Sequence, residues 1–188
     1  MSLQPPSFLL LALPLALAAC SFDYGTGKGE EGAREPPTAT FTDYKHTIVV
    51  RGAPSFELKA ARAEVYAEEK RTELTGVSFA EYDPDTGDLV SRGRAERALF
   101  WSETEDAELS GEVRLESLRQ DAVLEGEYLR WDGKGKRLEG RLDRKVTVSR
   151  GDGSRVSGAG FEADARRRSF SFREGVEGLV ADPEGEGE

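Results

Sequence analysis

Only one cysteine and one histidine occur in this chain of 188 residues. A lone thiol cannot close an intramolecular disulfide. With His46, Cys20 and no clustered acidic ligands, the chain also lacks the donor set of a structural zinc site. Hydrophobic residues make up 37% of the sequence, too few for a thick core packed on both sides, and charged residues make up 33%. Basic residues are in deficit: the formal net charge is −10 and the sequence pI about 4.8. That balance argues against nucleic-acid binding, which needs cations to neutralise phosphate. It also argues against adhesion to an anionic bilayer by charge alone. The cluster Arg166-Arg167-Arg168 is read as a solvated edge. No G-x-S-x-G, Walker loop or Gly-rich turn opening a helix is found. A Ser-His-Asp arrangement would have to use His46, and Gly158-Ala159-Gly160 is followed by no helix pattern. The chain therefore reads as non-enzymatic and without a cofactor.

What is there is strand and turn. Val123 to Trp131 sets apolar and aromatic side chains among charged ones. Asp132-Gly133-Lys134-Gly135-Lys136 then supplies residues that tolerate positive φ, as a hairpin connection needs. Leu138, Gly140 and Leu142 are placed on one face of the following strand. Lys145 to Arg150 alternates polar and β-branched residues with the period of a half-wet strand. Similar units surround this one, and the turn markers Gly87, Asp121 and Gly153 lie 34 and 32 residues apart by subtraction. That spacing fits stacked copies of one supersecondary unit. It fits equally an antiparallel sandwich. Ala60 to Arg71 competes as a helix by propensity, but it occupies the place of a strand pair, with a turn at Glu68-Glu69-Lys70. Asp83 to Asp88 and Gly151-Asp152-Gly153 are further turns.

The N-terminus has a different character. Phe8 to Ala19 is an uncharged run of 12 residues. A membrane span needs about 20, so the run suits the apolar region of an export signal. Leu17-Ala18-Ala19-Cys20 resembles the bacterial lipobox, in which the Cys is acylated and the preceding peptide removed. The departure is that no Lys or Arg precedes the apolar run. Residues 1–19 are thus expected to be a lipoprotein signal peptide. Residues 20–40, rich in Gly, Glu and Pro, are expected to be a flexible tether. Residues 41–180 are expected to form the β domain, and 181–188 an acidic tail.

From about Tyr44 to Gly178 the chain resembles the LptC family and the wider OstA-like group that includes LptA and the periplasmic domain of LptD. The resemblance is carried by Phe56-Glu57-Leu58-Lys59-Ala60-Ala61-Arg62-Ala63, Leu74-Thr75-Gly76-Val77 and Leu109 to Leu115. It continues in Tyr128-Leu129-Arg130-Trp131-Asp132, Lys136-Arg137-Leu138, Val146-Thr147-Val148 and Val156 to Asp164. It implies an all-β fold: a twisted, V-shaped, half-open jelly roll of repeated strand pairs whose interior receives acyl chains. It further implies a membrane-anchored periplasmic lipid-transfer role in lipopolysaccharide export. The expected partners are lipopolysaccharide or a similar acylated glycolipid, an LptA-like bridge protein and an inner-membrane ABC transporter. Family members typically keep an N-terminal transmembrane helix; here a lipobox stands in its place, with Cys20 as the lipidation site and the inner membrane favoured.

The expected groove face comprises Leu74, Leu109, Val113, Leu115, Leu138, Leu142, Val146, Val148, Phe170 and Phe172. The same residues would also serve as plain core. A charge at Val113 or Leu115 is expected to block lipid while leaving the domain folded. The competing reading is an interaction lipoprotein that docks partners through its strand edges and carries no lipid.

Overall fold

The computed structural model describes residues 35–181, so Cys20, the signal peptide, most of the tether and nearly all of the tail lie outside the described residues. Every regular element within that range is a strand. In chain order they are β1 (Ala39–Val50), β2 (Ala53–Tyr66), β3 (Arg71–Tyr82), β4 (Leu89–Trp101), β5 (Asp106–Ser117) and β6 (Ala122–Asp132). They continue as β7 (Arg137–Glu139), β8 (Lys145–Arg150), β9 (Arg155–Ala159), β10 (Glu162–Asp164), β11 (Ser169–Ser171) and β12 (Glu174–Leu179). The segment from Ala60 to Arg71 is two strands with a turn at 67–70, against its helical propensity. Pairing with both neighbours overrides that weak local preference.

Strands β1 to β6 form an antiparallel meander, each paired with the next. At β6 the sheet forks. Residues Ala122 to Gly126 pair with β8, whereas Arg130 to Asp132 pair with β7. Beyond the fork one leaf continues β7-β10-β11 and the other β8-β9-β12. The long strands β1 to β6 serve both leaves and cross the crease between them. The later strands are interrupted at it, by residues 140–144, by Gly160 and Phe161, and by Phe172 and Arg173.

The crease is written into the alternation of side chains. Ala60 and Ala63, Leu74 and Val77, and Ala95 and Ala98 are buried pairs, each separated by two exposed residues. Strict period-2 alternation would put the second member of each pair on the opposite face, so each strand slips phase by one residue here. Left-handed residues mark the crease on alternate strands, Asp43 (φ 50) in β1, Gly76 (φ 63) in β3 and Gly111 (φ 75) with Glu112 (φ 44) in β5, whereas β2 and β4 slip without one. Register shifts between Arg94 and Arg97 and between Ser110 and Val113 mark the same line as a bulge. Bulges bend the strand that carries them and sharpen its twist. Repeated across neighbouring strands, they fold one sheet onto itself.

The regular spacing of turn markers has a structural cause. Gly87 (φ 79), Asp121 (φ 48) and Gly153 (φ 86) all adopt positive φ in hairpin turns along one margin of the sheet. Along the opposite margin, four-residue turns at 67–70, 102–105, 133–136 and 165–168 each end in a left-handed residue: Lys70, Glu105, Lys136 and Arg168. These turns bind one another. Ser102 N donates to Lys70 O at 2.9 Å, Gly133 N to Asp106 Oδ1 at 2.9 Å and Ala165 N to Lys136 O at 3.0 Å. The repeat is therefore a hairpin stacked on the previous hairpin within one continuous sheet. The two-layered character comes from the crease, not from two separate sheets.

Turn carboxylates hold these hairpins. Asp83 Oδ1 accepts from Asp85 N at 2.9 Å, Asp132 Oδ1 from Gly135 N at 2.8 Å and Asp152 Oδ1 from Ser154 N at 2.8 Å. Asp164 Oδ1 accepts from Arg166 N and Arg167 N, both at 2.9 Å. The backbone donors hold all four carboxyls below the usual Asp range. A folded-state pKa below the unfolded value gives stability that is present above the unfolded pKa, about 3.9 for Asp. It is lost as pH falls through the folded value. The denaturation midpoint is thus expected to fall as pH drops below the ordinary Asp range. Asp132→Asn is expected to shallow that decline, measured as midpoint against pH. An unchanged slope in the variant would count against the turn's contribution.

Candidate functional site

Cross-strand register assigns the inner face. One row in the β8 leaf runs Tyr44, Ala60, Val77 and Ala95 across β1 to β4. The next runs His46, Leu58, Phe79, Gly93, Leu115, Leu124, Val148 and Val156. In the opposite leaf Phe41, Ala63, Leu74, Ala98, Leu109 and Leu129 form the row beside the crease. Among the described residues no buried side chain is polar or charged. The buried part of the inner face is therefore apolar, and its polar groups, Tyr44 and His46, stand at the β1 edge.

The two halves of that face are furnished differently. Toward β5 to β11 it is filled. Val113, Leu129, Val146, Val148 and Phe161 form one buried cluster with Ala95, against which Leu109, Leu115, Leu124, Leu138, Val156 and Phe172 pack. Glycines at inner-face positions make room for these side chains. A β-carbon on Gly158 would lie 2.9 Å from the Phe172 ring, and one on Gly140 3.1 Å from Phe161 Cβ. Toward β1 to β4 the face is lined by small residues. Ala60, Ala63, Ala98, Leu74 and Val77 make a second cluster, with Tyr44, Leu58 and Leu109 beside it.

The sheet does not close at β1, which pairs only with β2 among the described strands. Phe41, Tyr44 and His46 line its inner side. Their rings follow one another at 5.9 and 6.5 Å, the second pair nearly parallel. Phe56 and Phe79 stack at 5.8 Å on the next two strands. His46 is thus a member of an aromatic row on this open edge.

The ten residues expected to form a groove divide accordingly. Leu109, Val113, Leu115, Leu138, Val146, Val148 and Phe172 belong to the filled cluster, and Val113 (2% exposed) and Val146 (0%) have almost no surface left for a ligand. Leu74 belongs to the alanine-rich cluster. Phe170 stands 40% exposed against Phe161 and Phe172, with ring centroids 6.1 and 5.9 Å away. Leu142 departs from the expectation. β7 ends at Glu139, so Gly140 and Leu142 lie in the connection that crosses the crease, and Leu142 is 52% exposed. The connection leaves the sheet to change leaves, which ends the strand alternation that would have turned Leu142 inward.

Selecting large apolar residues picked only Leu74 from the buried cluster of the open half. Phe41, Tyr44, Leu58 and Phe79 were not singled out for the groove, and the alanines carried no hydrophobic signal. The usable signal was spacing: apolar residues at i and i+3 within strand-like segments, recurring in β2, β3 and β4.

Comparison with known proteins adds the decisive observation. Residues 9–181 match the lipopolysaccharide-assembly, LptC-related family. The chain belongs to that family. No curated protein matches it. Among solved structures, it is similar to the crystal structure of LptH from Pseudomonas aeruginosa, an LptA-homologous periplasmic component of the lipopolysaccharide transport device. The TM-score is 0.53 and the identity 11%, over 69% of this chain and 96% of that one. At that identity the likeness concerns the fold: an open, creased antiparallel sheet of the LptA-like jelly-roll kind. The all-β expectation and the LptC resemblance both hold. The LptC-family motifs acquire physical roles. Trp131-Asp132 ends β6 at a carboxylate-held turn, and Asp164 does the same between β10 and β11. Gly160 (φ 60) makes the break between β9 and β10.

Proposed function

We propose that this LptC-family chain is a membrane-anchored periplasmic component of the lipopolysaccharide export bridge. It takes up acyl chains of lipopolysaccharide, or of a similar acylated glycolipid, along its inner face and hands them to an LptA-like roll. The observation that carries this reading is the division of the inner face. Its buried part is wholly apolar, filled at one end and lined by small residues and an aromatic row at the other. Burying an acyl chain contributes about 0.8 kcal/mol per methylene, so passage onward requires an equally apolar next site. The sheet's margins fit such a hand-over. Ile48, Val49 and Val50 on β1, and Val176 and Leu179 on β12, are large apolar residues exposed at unpaired edges. Unpaired edges are templates for strand addition. Cys20, acylated after removal of residues 1–19, would tether the domain to the inner membrane beside the ABC transporter.

The exposed edges also favour a second reading, an interaction lipoprotein that docks partners and carries no lipid. Site-specific photocrosslinking in cells separates the two, because neighbours in sequence face opposite ways. Probes at Leu58 and Leu115 are expected to yield lipid adducts. Probes at Glu73 and Ser149, the outward-facing neighbours of Leu74 and Val148, are expected to yield few. Intact mass of the same protein reports the acyl group on Cys20. Equal or absent lipid adducts at all four positions would leave only the docking reading.

A further inference from the structure

The outer face of the β8 leaf carries a basic concavity on a protein whose net charge is −10. It is a cavity of about 540 Å³ spanning β2 to β5, and Lys59, Arg92, Arg94 and Arg114 contribute its cations. Register places these side chains in adjacent ranks. Lys59 lies opposite Ser78, Ser78 opposite Arg94, and Arg94 opposite Arg114. Adjacent strands are about 4.8 Å apart. Lys59 and Arg94 therefore flank Ser78 at a separation their long side chains can close onto one group above it.

The charge arrangement is costly unless something occupies it. Arg94 and Arg114 are direct cross-strand partners, and like charges so placed destabilise a sheet. Carboxylates relieve only part of this. Arg92 Nε donates to Glu116 Oε2 at 2.8 Å, and Arg114 pairs with Glu125. Among the described residues Lys59 and Arg94 form no ion pair within 4 Å, so they are the two cations left for an anion. The cavity is much larger than one phosphate and falls in the range of small-molecule sites. Its walls also hold Ser78, Tyr82 and the carboxylate of Glu57, groups that exchange hydrogen bonds with hydroxyls.

We infer that this outer-face concavity binds a phosphorylated saccharide, its phosphate held between Lys59 and Arg94 over Ser78 and its hydroxyls turned to the carboxylates. The site is separate from the inner face and makes no use of the acyl-chain reading.

The test is a titration of the full chain in detergent with glucose 6-phosphate, followed by backbone amide shifts at Ser78 and Gly93. Saturable shifts are expected, and the double variant Lys59→Ala with Arg94→Ala is expected to weaken binding at least tenfold. Both residues are exposed, so the variant keeps its fold. Arg150→Ala, an exposed cation at the end of β8 and outside the cavity, is expected to leave binding unchanged. Glucose alone is expected to give no saturable shift, and inorganic phosphate to bind more weakly than the sugar phosphate. No saturable response, a response that survives the double variant, or equal affinity for inorganic phosphate would overturn the assignment. None of these outcomes bears on lipid adducts at Leu58 or Leu115, so the two readings stand or fall separately.

Discussion

Leu129→Ala is expected to destabilise the roll by about 2–5 kcal/mol, the usual cost of emptying a buried leucine site. Leu129 is 0% exposed and sits on β6 just past the crease, opposite Leu109. It belongs to the cluster that joins side chains from both leaves, among them Leu138 of one and Val148 of the other. Its removal would leave a void walled by two leaves tied through the same crease, which limits how far they can collapse to fill it. Domains of this kind are stable by about 5–15 kcal/mol in all, so the loss would be a large share. Chemical denaturation should show a lower midpoint with an unchanged slope. Leu142→Ala is the internal control. Leu142 is 52% exposed and lies outside the strands, so its truncation is expected to change stability by no more than about 0.5 kcal/mol. Equal losses for the two variants would contradict the assignment of the shared core.

A carboxylate at Val113 and one at Leu58 are expected to fail in different ways. The sequence alone suggested that a charge at Val113 would stop lipid and spare the fold. The structure changes that outcome. Val113 is 2% exposed inside an apolar cluster, and among the described residues no buried side chain is polar or charged. A buried, unpaired charge is destabilising by several kcal/mol, and Val113→Asp is expected to unfold the domain or be cleared from cells. Leu58 is half-buried at the alanine-lined end, near the open edge. Leu58→Asp can keep its carboxylate partly hydrated, so the domain is expected to stay folded. Lipid adducts at a probe on Leu115 are expected to drop roughly tenfold or more, since each 1.4 kcal/mol lost from acyl binding is a factor of ten. Circular dichroism on the same samples reports folding. Full lipid adducts in a folded Leu58→Asp protein would show that acyl chains do not pass that end of the face.

How much was legible beforehand follows from what kind of information each feature needs. Positive-φ requirements are local, and so Gly87, Asp121 and Gly153 could be picked out as turn residues without a structure. The segment Ala60 to Arg71 could be read against its propensity because its neighbours set the pattern for it. The groove could not be read the same way. Val146 and Leu142 look alike in a strand-like stretch, yet one is fully buried and the other half exposed. Nothing within a few residues says where a strand will leave its leaf. The alanines at positions 60, 63 and 98 are invisible to a search for greasy residues, although their small size is what distinguishes the open half.

By itself the sequence determined that this chain is a run of strands and hairpin turns, because turn chemistry and alternation are properties of short segments, and its motifs in order carried the resemblance to LptC. Only the tertiary structure decided where the sheet creases, which apolar side chains fill the space between the leaves, and which are left facing it. Those outcomes depend on a one-residue phase slip aligned across neighbouring strands, and alignment exists only once the strands have paired.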